Sequence, residues 1–400
     1  MKILLLTQVL PYPPDSGPKV KTWNVLKYLA RQHEVTLVSF VRGDQSAEVE
    51  RLRRYCRAVH TAPMTRSPLE DGLAMLRSFA TGQPWMMVRD DRAALHRLVD
   101  RLCAETRFDV AHADQLNMAQ FAARAPGARK VLDAHNALWL LYKRLAATMS
   151  AGPRRWLLER DWRLLKDYEG RLVREFDGVL AVSDEDRAAL IEAAGGPRDI
   201  TVIPIAVDTD EIPLVTRRED ARRLLHIGTM YWPPNIDGMW WFIREVYPLI
   251  RAQRPDVALD IVGARPPEDM RALNGDGSGV NVAGYVPDPA PYLEQAGVFI
   301  VPLRAGGGMR VKILEALARG LPLVTTTLGC EGIAVEHGRH VLIADTPEAF
   351  ARETLRLLND RALADALGRE GRRLIETVYD YRAACRPLEA LYHGAASPAA

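Results

Sequence analysis

The stretch Val301 to Thr326, V-P-L-R-A-G-G-G-M-R-V-K-I-L-E-A-L-A-R-G-L-P-L-V-T-T, decides how this chain is read. An apolar run predicted as a strand, Val298–Leu303, enters three glycines, Gly306, Gly307 and Gly308. A helix is predicted from about Met309 to Arg319, where Gly320 and Pro322 stop it before another apolar run. Glycines at the mouth of a helix let a ligand approach the backbone, and the free N–H groups there suit an anion. Arg310 and Lys312 fall in the predicted first turn, where the macrodipole disfavours each cation by roughly 0.3–1 kcal/mol. Two cations set against that gradient point to an anion that outweighs it, most simply a diphosphate. Glu315, three residues past Lys312 on the same side, is placed to accept hydrogen bonds from sugar hydroxyls. Together these suit a nucleotide-sugar. The Lys312 and Glu315 spacing also fits an ordinary surface pair, worth about 0.2–0.5 kcal/mol.

Outward from this stretch, short apolar runs alternate with amphipathic helical segments, the pattern of parallel sheets in βα units. One series of predicted strands comprises Lys2–Thr7, Glu34–Val41, Val110–Ala113, Lys130–Asp133, Gly178–Val182 and Ile200–Ile203. A second comprises Arg223–Ile227, Ala258–Val262, Val280–Ala283, Val298–Leu303 and Leu321–Thr325. Two series imply two doubly wound α/β domains, residues 1–205 and 206–379, joined through Pro204 to Arg218. A helix around 380–396 is expected to complete the first.

The 400 residues carry a net charge of only +2, which argues against a nucleic-acid binder. Residues 1–205 hold 31 Lys and Arg against 25 Asp and Glu, and the remainder 22 against 26. The basic first half weakly favours an anionic surface or acceptor. Ile3 to Leu6 reads as a buried first strand rather than a signal peptide, since Gln8 and Pro11 break it and no cleavage site follows. No run approaches the ~20 apolar residues that span a bilayer. Cys56, Cys103, Cys330 and Cys385 are scattered, as expected of core thiols in a reduced, cytoplasmic protein.

Ligands of open parallel sheets bind beyond the carboxyl ends of the strands. Here those ends carry Pro11 to Lys19 with Gly17, then His112 and Asp114, then Asp133, His135 and Asn136. In the second half they carry Gly228 and Thr229, Gly263, Gly284 and Tyr285, and the triple glycine. His135 is either structural or a group that touches a sugar hydroxyl near pH 7. Asp208 and Asp210 have D-x-D spacing but lie in the expected linker, so a metal role is disfavoured. No G-x-G-x-x-G follows a first strand, and no Walker or nucleophile-elbow sequence is present, so no cofactor is expected. Ser183 reads as a helix N-cap with acidic residues behind it. Trp139, Tyr142, Trp156 and Trp162 read as core aromatics.

The assembled residues resemble the retaining, nucleotide-sugar-dependent glycosyltransferases of family 4 (group 1), and in particular bacterial exopolysaccharide-type members. The resemblance rests on Met1-Lys-Ile-Leu-Leu, the Pro13-Pro14 to Gly17 loop, Arg31-Gln-His-Glu-Val-Thr, Phe108-Asp-Val-Ala-His112 and Phe176-Asp-Gly-Val-Leu-Ala-Val-Ser183. It continues through Ile203-Pro-Ile-Ala-Val-Asp208, His226-Ile-Gly228, Gly284-Tyr-Val-Pro and Lys312-Ile-Leu-Glu315-Ala-Leu-Ala-Arg-Gly320-Leu-Pro. It implies the GT-B fold, two Rossmann-like domains facing a central cleft. It also implies that Glu315 binds the nucleotide ribose, His135 contacts the donor sugar, Gly17 admits the diphosphate and acceptor, and Gly284 and Tyr285 meet the base. Two departures stand out. The first glutamate of the family's Glu-x7-Glu signature would fall at Gly307, and the Arg and Lys that normally follow the first strand of the second domain are replaced by Gly228-Thr-Met-Tyr-Trp-Pro-Pro-Asn235. Arg310 and Lys312 are then the best diphosphate partners left.

The expected reaction is transfer of a sugar, with retained configuration and no metal, from a nucleoside-diphosphate sugar to a hydroxyl of a glycan or lipid-linked acceptor. His135, Arg310 and Lys312 are its expected catalytic residues. A nucleotide-sugar epimerase of similar shape and a non-catalytic donor-binding subunit are the alternatives. Leu69 to Val88 combines Leu73, Met75, Leu76, Phe79, Trp85, Met86 and Met87 with Arg77, as interfacial elements do. That segment is read either as a peripheral contact with the inner face of the plasma membrane or as a helix packed on the domain core.

Overall fold

The computed structural model describes residues 1–306 and 308–394. Gly307, a candidate site residue, and the end of the helix expected around 380–396 lie outside them. The chain divides into two compact units, Met1–Ala206 together with the chain from Ala384, and Val207–Ala383.

The first unit is built on a seven-stranded sheet of β1 (Lys2–Thr7), β2 (Glu34–Val41), β3 (Ala58–Pro63), β4 (Val110–Asp114), β5 (Arg129–Asp133), β6 (Gly178–Ala181) and β7 (Thr201–Val202). Their spatial order is β3-β2-β1-β4-β5-β6-β7, and every pair is parallel. Ile3 to Leu6 is buried at the centre of the sheet. Helices cover both faces, so β4 is buried along its whole length.

The second unit has six strands, β8 (Arg223–Ile227), β9 (Leu259–Val262), β10 (Val280–Gly284), β11 (Ala296–Val301), β12 (Leu323–Thr325) and β13 (Leu342–Ile343). Their order is β10-β9-β8-β11-β12-β13, again parallel throughout. Both sheets reverse strand order once, between β1 and β4 and between β8 and β11. Those reversals open the crevices in which doubly wound sheets hold ligands.

The strands differ from expectation where the apolar run is short or displaced. β3 and β13 were not expected; they are edge strands, one of mixed polarity and one only two residues long. β11 ends at Val301 rather than Leu303. The helix after the triple glycine runs Val311–Ala318, so Arg310 is its N-cap, with extended backbone, and not a first-turn residue. Only Lys312 sits in the first turn.

Three smaller readings also resolve. Ser183 caps the Asp184–Ala194 helix by accepting from the Asp186 N–H. In the D-x-D pair Asp208 accepts from the Asp210 N–H at 3.0 Å and Asp210 pairs with Arg382 at 2.5 Å, while Arg382 and Thr209 both bind Asp380. Trp139 is buried with Tyr142 and Trp162 against it, but Trp156 is 59% exposed and leaves the predicted aromatic core.

Candidate functional site

The crevice of the second unit is floored by backbone. Gly228, Gly263 and Gly284 end β8, β9 and β10 side by side, with the Gly228 N–H donating to Val262 O and the Gly263 N–H to Gly284 O. A Cβ on Gly263 would lie 1.7 Å from the Gly228 oxygen, so only glycine permits the approach.

Three nitrogens crowd Gly228 from above. A Cβ there would meet Lys312 Nζ at 2.6 Å, His226 Nε2 at 3.0 Å and Asn235 Nδ2 at 3.2 Å. Lys312 Nζ donates to Asn235 Oδ1 at 2.8 Å, and Asn235 Nδ2 donates to Thr229 O at 2.8 Å. One amide therefore ties the helix after the triple glycine to the loop after β8. His226 Nδ1 donates to Ile300 O at 2.9 Å, which leaves Nε2 as a bare lone pair with no partner among the described residues. Burial and the Lys312 charge push this imidazole down to about 3. Burial, and then the charge on Arg310, push Lys312 down to about 7.

Gly306 and Gly308 adopt the left-handed φ values of 101° and 82°. A Cβ on Gly306 would sit 3.3 Å from Arg310 Nη2, so the guanidinium lies against the loop's backbone. Burial lowers the Arg310 pKa, and Glu331 opposes the shift. Glu315 takes Arg319 as its ion partner, at 3.6 Å, and not Lys312; burial raises its carboxyl. Beyond the floor stand exposed Tyr231 and Trp232 after β8 and Tyr285 after β10. Arg265, after β9, lies over the Tyr231 ring at 5.4 Å.

The crevice of the first unit is lined by a buried polar network. Gly17 opens the Gly17–Leu29 helix, and one turn later Lys21 and Thr22 face the sheet. The Lys21 amine is buried against the Asp133 carboxylate, and Thr22 donates to Asp114 at 2.9 Å. His135 Nε2 is 2.9 Å from Asp114 Oδ1. His112 completes the group, with Nδ1 2.6 Å from the Tyr392 hydroxyl and Nε2 3.7 Å from Asp133 Oδ2. Burial alone would raise the Asp133 pKa, but the Lys21 ammonium, His112 and His135 together outweigh it and hold the carboxyl well below its ordinary range. The ligand atoms of Asp114, Asp133 and His135 lie within 4.8 Å of one another, a spacing a divalent cation could use. The Lys21 ammonium already supplies a positive charge there.

The structure thus gathers Gly228, Thr229, Gly284, Gly306, Gly308, Arg310 and Lys312 in one crevice, with Glu315 a turn further along the helix and Tyr285 at its rim. Gly17 and His135 belong to the other unit. Sequence reading missed Asn235, His226, Lys21 and the partnership of Asp114 with His135. A Pro-Pro-Asn opening a helix beside a glycine strand end is the one signal that pointed to Asn235.

Two family descriptions match the chain, Glycosyltransferase Family 4 over residues 16–211 and Glycosyl transferases group 1 over residues 221–360. An uncharacterized 44.6 kDa protein in the cps region of Klebsiella pneumoniae is 23% identical over 88% of this chain and 90% of its own. The phosphatidyl-myo-inositol mannosyltransferase of Mycolicibacterium smegmatis is 28% identical over 59% of this chain, which spans 58% of that enzyme's length. Among solved structures, Anabaena HepE in complex with UDP superposes with a TM-score of 0.68 at 14% identity, covering 97% of this chain and 98% of its own. Sucrose-phosphate synthase from Thermosynechococcus elongatus gives 0.69 at 17%, covering 98% of both chains. With both halves matched and two doubly wound parallel sheets of the GT-B kind, the chain belongs to the family 4, group 1 glycosyltransferases.

Proposed function

We propose that this glycosyltransferase moves a sugar from a nucleoside-diphosphate sugar to a hydroxyl on a glycan or lipid-linked acceptor, with the anomeric configuration retained and without a metal ion. The observation that carries this is the Lys312 amine, held over Gly228 by a neutral amide and next to Arg310. A diphosphate supplies a counter-charge for the Lys312 amine, whose hydrogen-bond partner Asn235 is neutral, and it acquires charge as the anomeric C–O bond breaks. Cations and helix N–H groups aimed at that charge lower the barrier. The acceptor oxygen forms the new bond on the same face, and its proton passes to the departing phosphate oxygen. Glu315 holds the ribose, and Tyr231, Arg265 and Tyr285 offer flat partners for a base. His135, oriented by Asp114, contacts the donor sugar. Solved complexes of HepE with UDP and with UDP-glucose support a nucleotide donor. Relatives named for phosphatidylinositol mannosides and capsular polysaccharide support the acceptor class.

The test incubates the enzyme with UDP-, GDP- and other nucleotide-sugars plus glycan or lipid-linked acceptors, following nucleoside diphosphate release and the product's anomeric coupling by NMR. EDTA is expected to leave the rate unchanged. Inverted product or strict metal dependence contradicts the mechanism, and tight binding without turnover assigns a non-catalytic donor-binding role.

A further inference from the structure

The Pro68–Thr81 helix of the first unit is inside out. A globular surface helix turns its apolar stripe to the core. Here Leu69, Leu73 and Leu76 follow i, i+4, i+7 spacing and are 74%, 57% and 67% exposed, with Phe79 beside them. The one buried residue of this helix is Ser78, whose hydroxyl donates to Gln83 O and whose carbonyl accepts from Arg160 at 2.7 Å. The helix is therefore held by polar ties on its inner side, while its leucines meet solvent. Single exposed leucines are normal in soluble proteins; a full stripe marks a surface that something covers.

The stripe continues onto the Pro153–Glu175 helix. Trp156 stacks on Phe79 with centroids 6.0 Å apart and planes 11° from parallel, and the Arg160 guanidinium lies 4.1 Å over the same ring. The charge around it is net basic, although the Pro68–Thr81 helix itself sets Glu70 and Asp71 against Arg77. Residues 141–163 hold six Lys and Arg against Glu159 and Asp161, and Arg154, Arg163 and Arg77 are exposed. Apolar side chains flanked by arginines, with an exposed tryptophan among them, match the boundary between acyl chains and anionic headgroups. No described helix is long and apolar enough to cross a membrane, so such an element lies along the surface.

We propose that the Leu69, Leu73, Leu76, Phe79 and Trp156 surface docks the first unit onto an anionic lipid membrane. It stands independently of the donor reading, because its residues lie outside the second unit. The full chain is sedimented with phosphatidylcholine vesicles, with and without phosphatidylglycerol, at low and high salt. Binding is expected to phosphatidylglycerol vesicles, weaker at high salt. The double variant Leu73→Glu/Leu76→Glu should reduce it by roughly tenfold or more, with an unchanged melting temperature because both side chains are exposed. Arg154→Glu/Arg155→Glu should reduce binding at low salt only. Absence of wild-type binding overturns the proposal, as does binding that survives the leucine variant. Concentration-dependent self-association that the leucine variant abolishes, without vesicle binding, assigns the surface to a second copy of the chain instead.

Discussion

In the first unit the amine of Lys21 lies against the carboxylate of Asp133; in the second the amine of Lys312 lies against the amide of Asn235. Both lysines reach the carboxyl end of a strand, Lys21 that of β5 and Lys312 that of β8, and both come from the first turns of a helix. Lys21 meets a full counter-charge with His112, Asp114 and Thr22 around it, so the cluster is internally compensated. Among the described residues, Lys312 meets the Asn235 amide dipole, a bare imidazole lone pair and a second cation. The same residue type thus serves two ends. A paired buried cation holds a fold together, and one denied a carboxylate stores an attraction for an incoming anion.

The largest effect expected from this contrast is on stability. Lys21→Met leaves Asp133 buried without its partner and should cost about 3–5 kcal/mol in urea unfolding. A loss below about 1 kcal/mol would mean that the cluster is not an obligatory ion pair, and the contrast would collapse.

Next is turnover. Arg310→Ala and Lys312→Ala should each lower kcat/KM by about 10²–10³-fold, without the stability loss of the Lys21 variant. Acidity sharpens the test. Unfolded, Lys312 keeps its proton up to its ordinary value of 10.5, whereas the folded amine loses it above about 7. Between those values the unfolded state binds more protons, so ligand-free stability should rise with pH across that window, and Lys312→Met should flatten the rise. Diphosphate binding favours the protonated amine, so calorimetric affinity should weaken as pH climbs above about 7. Lys312→Arg should show less of this decline.

The smallest effect belongs to Glu315. Glu315→Gln should weaken nucleoside diphosphate binding by about tenfold, roughly 1.4 kcal/mol, and leave the melting temperature unmoved. Unchanged affinity would reduce Glu315 to the helix-surface partner of Arg319.

The buried parallel strands were legible because each is a nearly unbroken apolar run; β1, β2 and β8 begin and end where their sequences say. β3 was not, since A-V-H-T-A-P carries no such run and its place is set by pairing with β2. The triple-glycine turn was readable as chemistry, yet one displaced helix turn moved Arg310 from first turn to N-cap. Lys21 was invisible for a different reason. Helical periodicity assigns a lysine to solvent, and only the fold reveals Asp133, 112 residues away, as its partner. Trp156 shows the converse, an aromatic assigned to the core by its type and turned outward by its neighbours.

The first unit is not contiguous in sequence. The Pro387–His393 helix returns to it after the whole second unit, bringing the Tyr392 hydroxyl to His112, the Leu391 carbonyl to Arg129 and Glu389 to His33. During synthesis the unit begun first is therefore closed last. At about 5–20 residues per second, its sheet waits on the order of ten to forty seconds for that helix while the second unit is made and folds. Through that interval His112 lacks the Tyr392 hydroxyl, and the side of the Lys21 and Asp133 cluster that the last helix covers stands open to water.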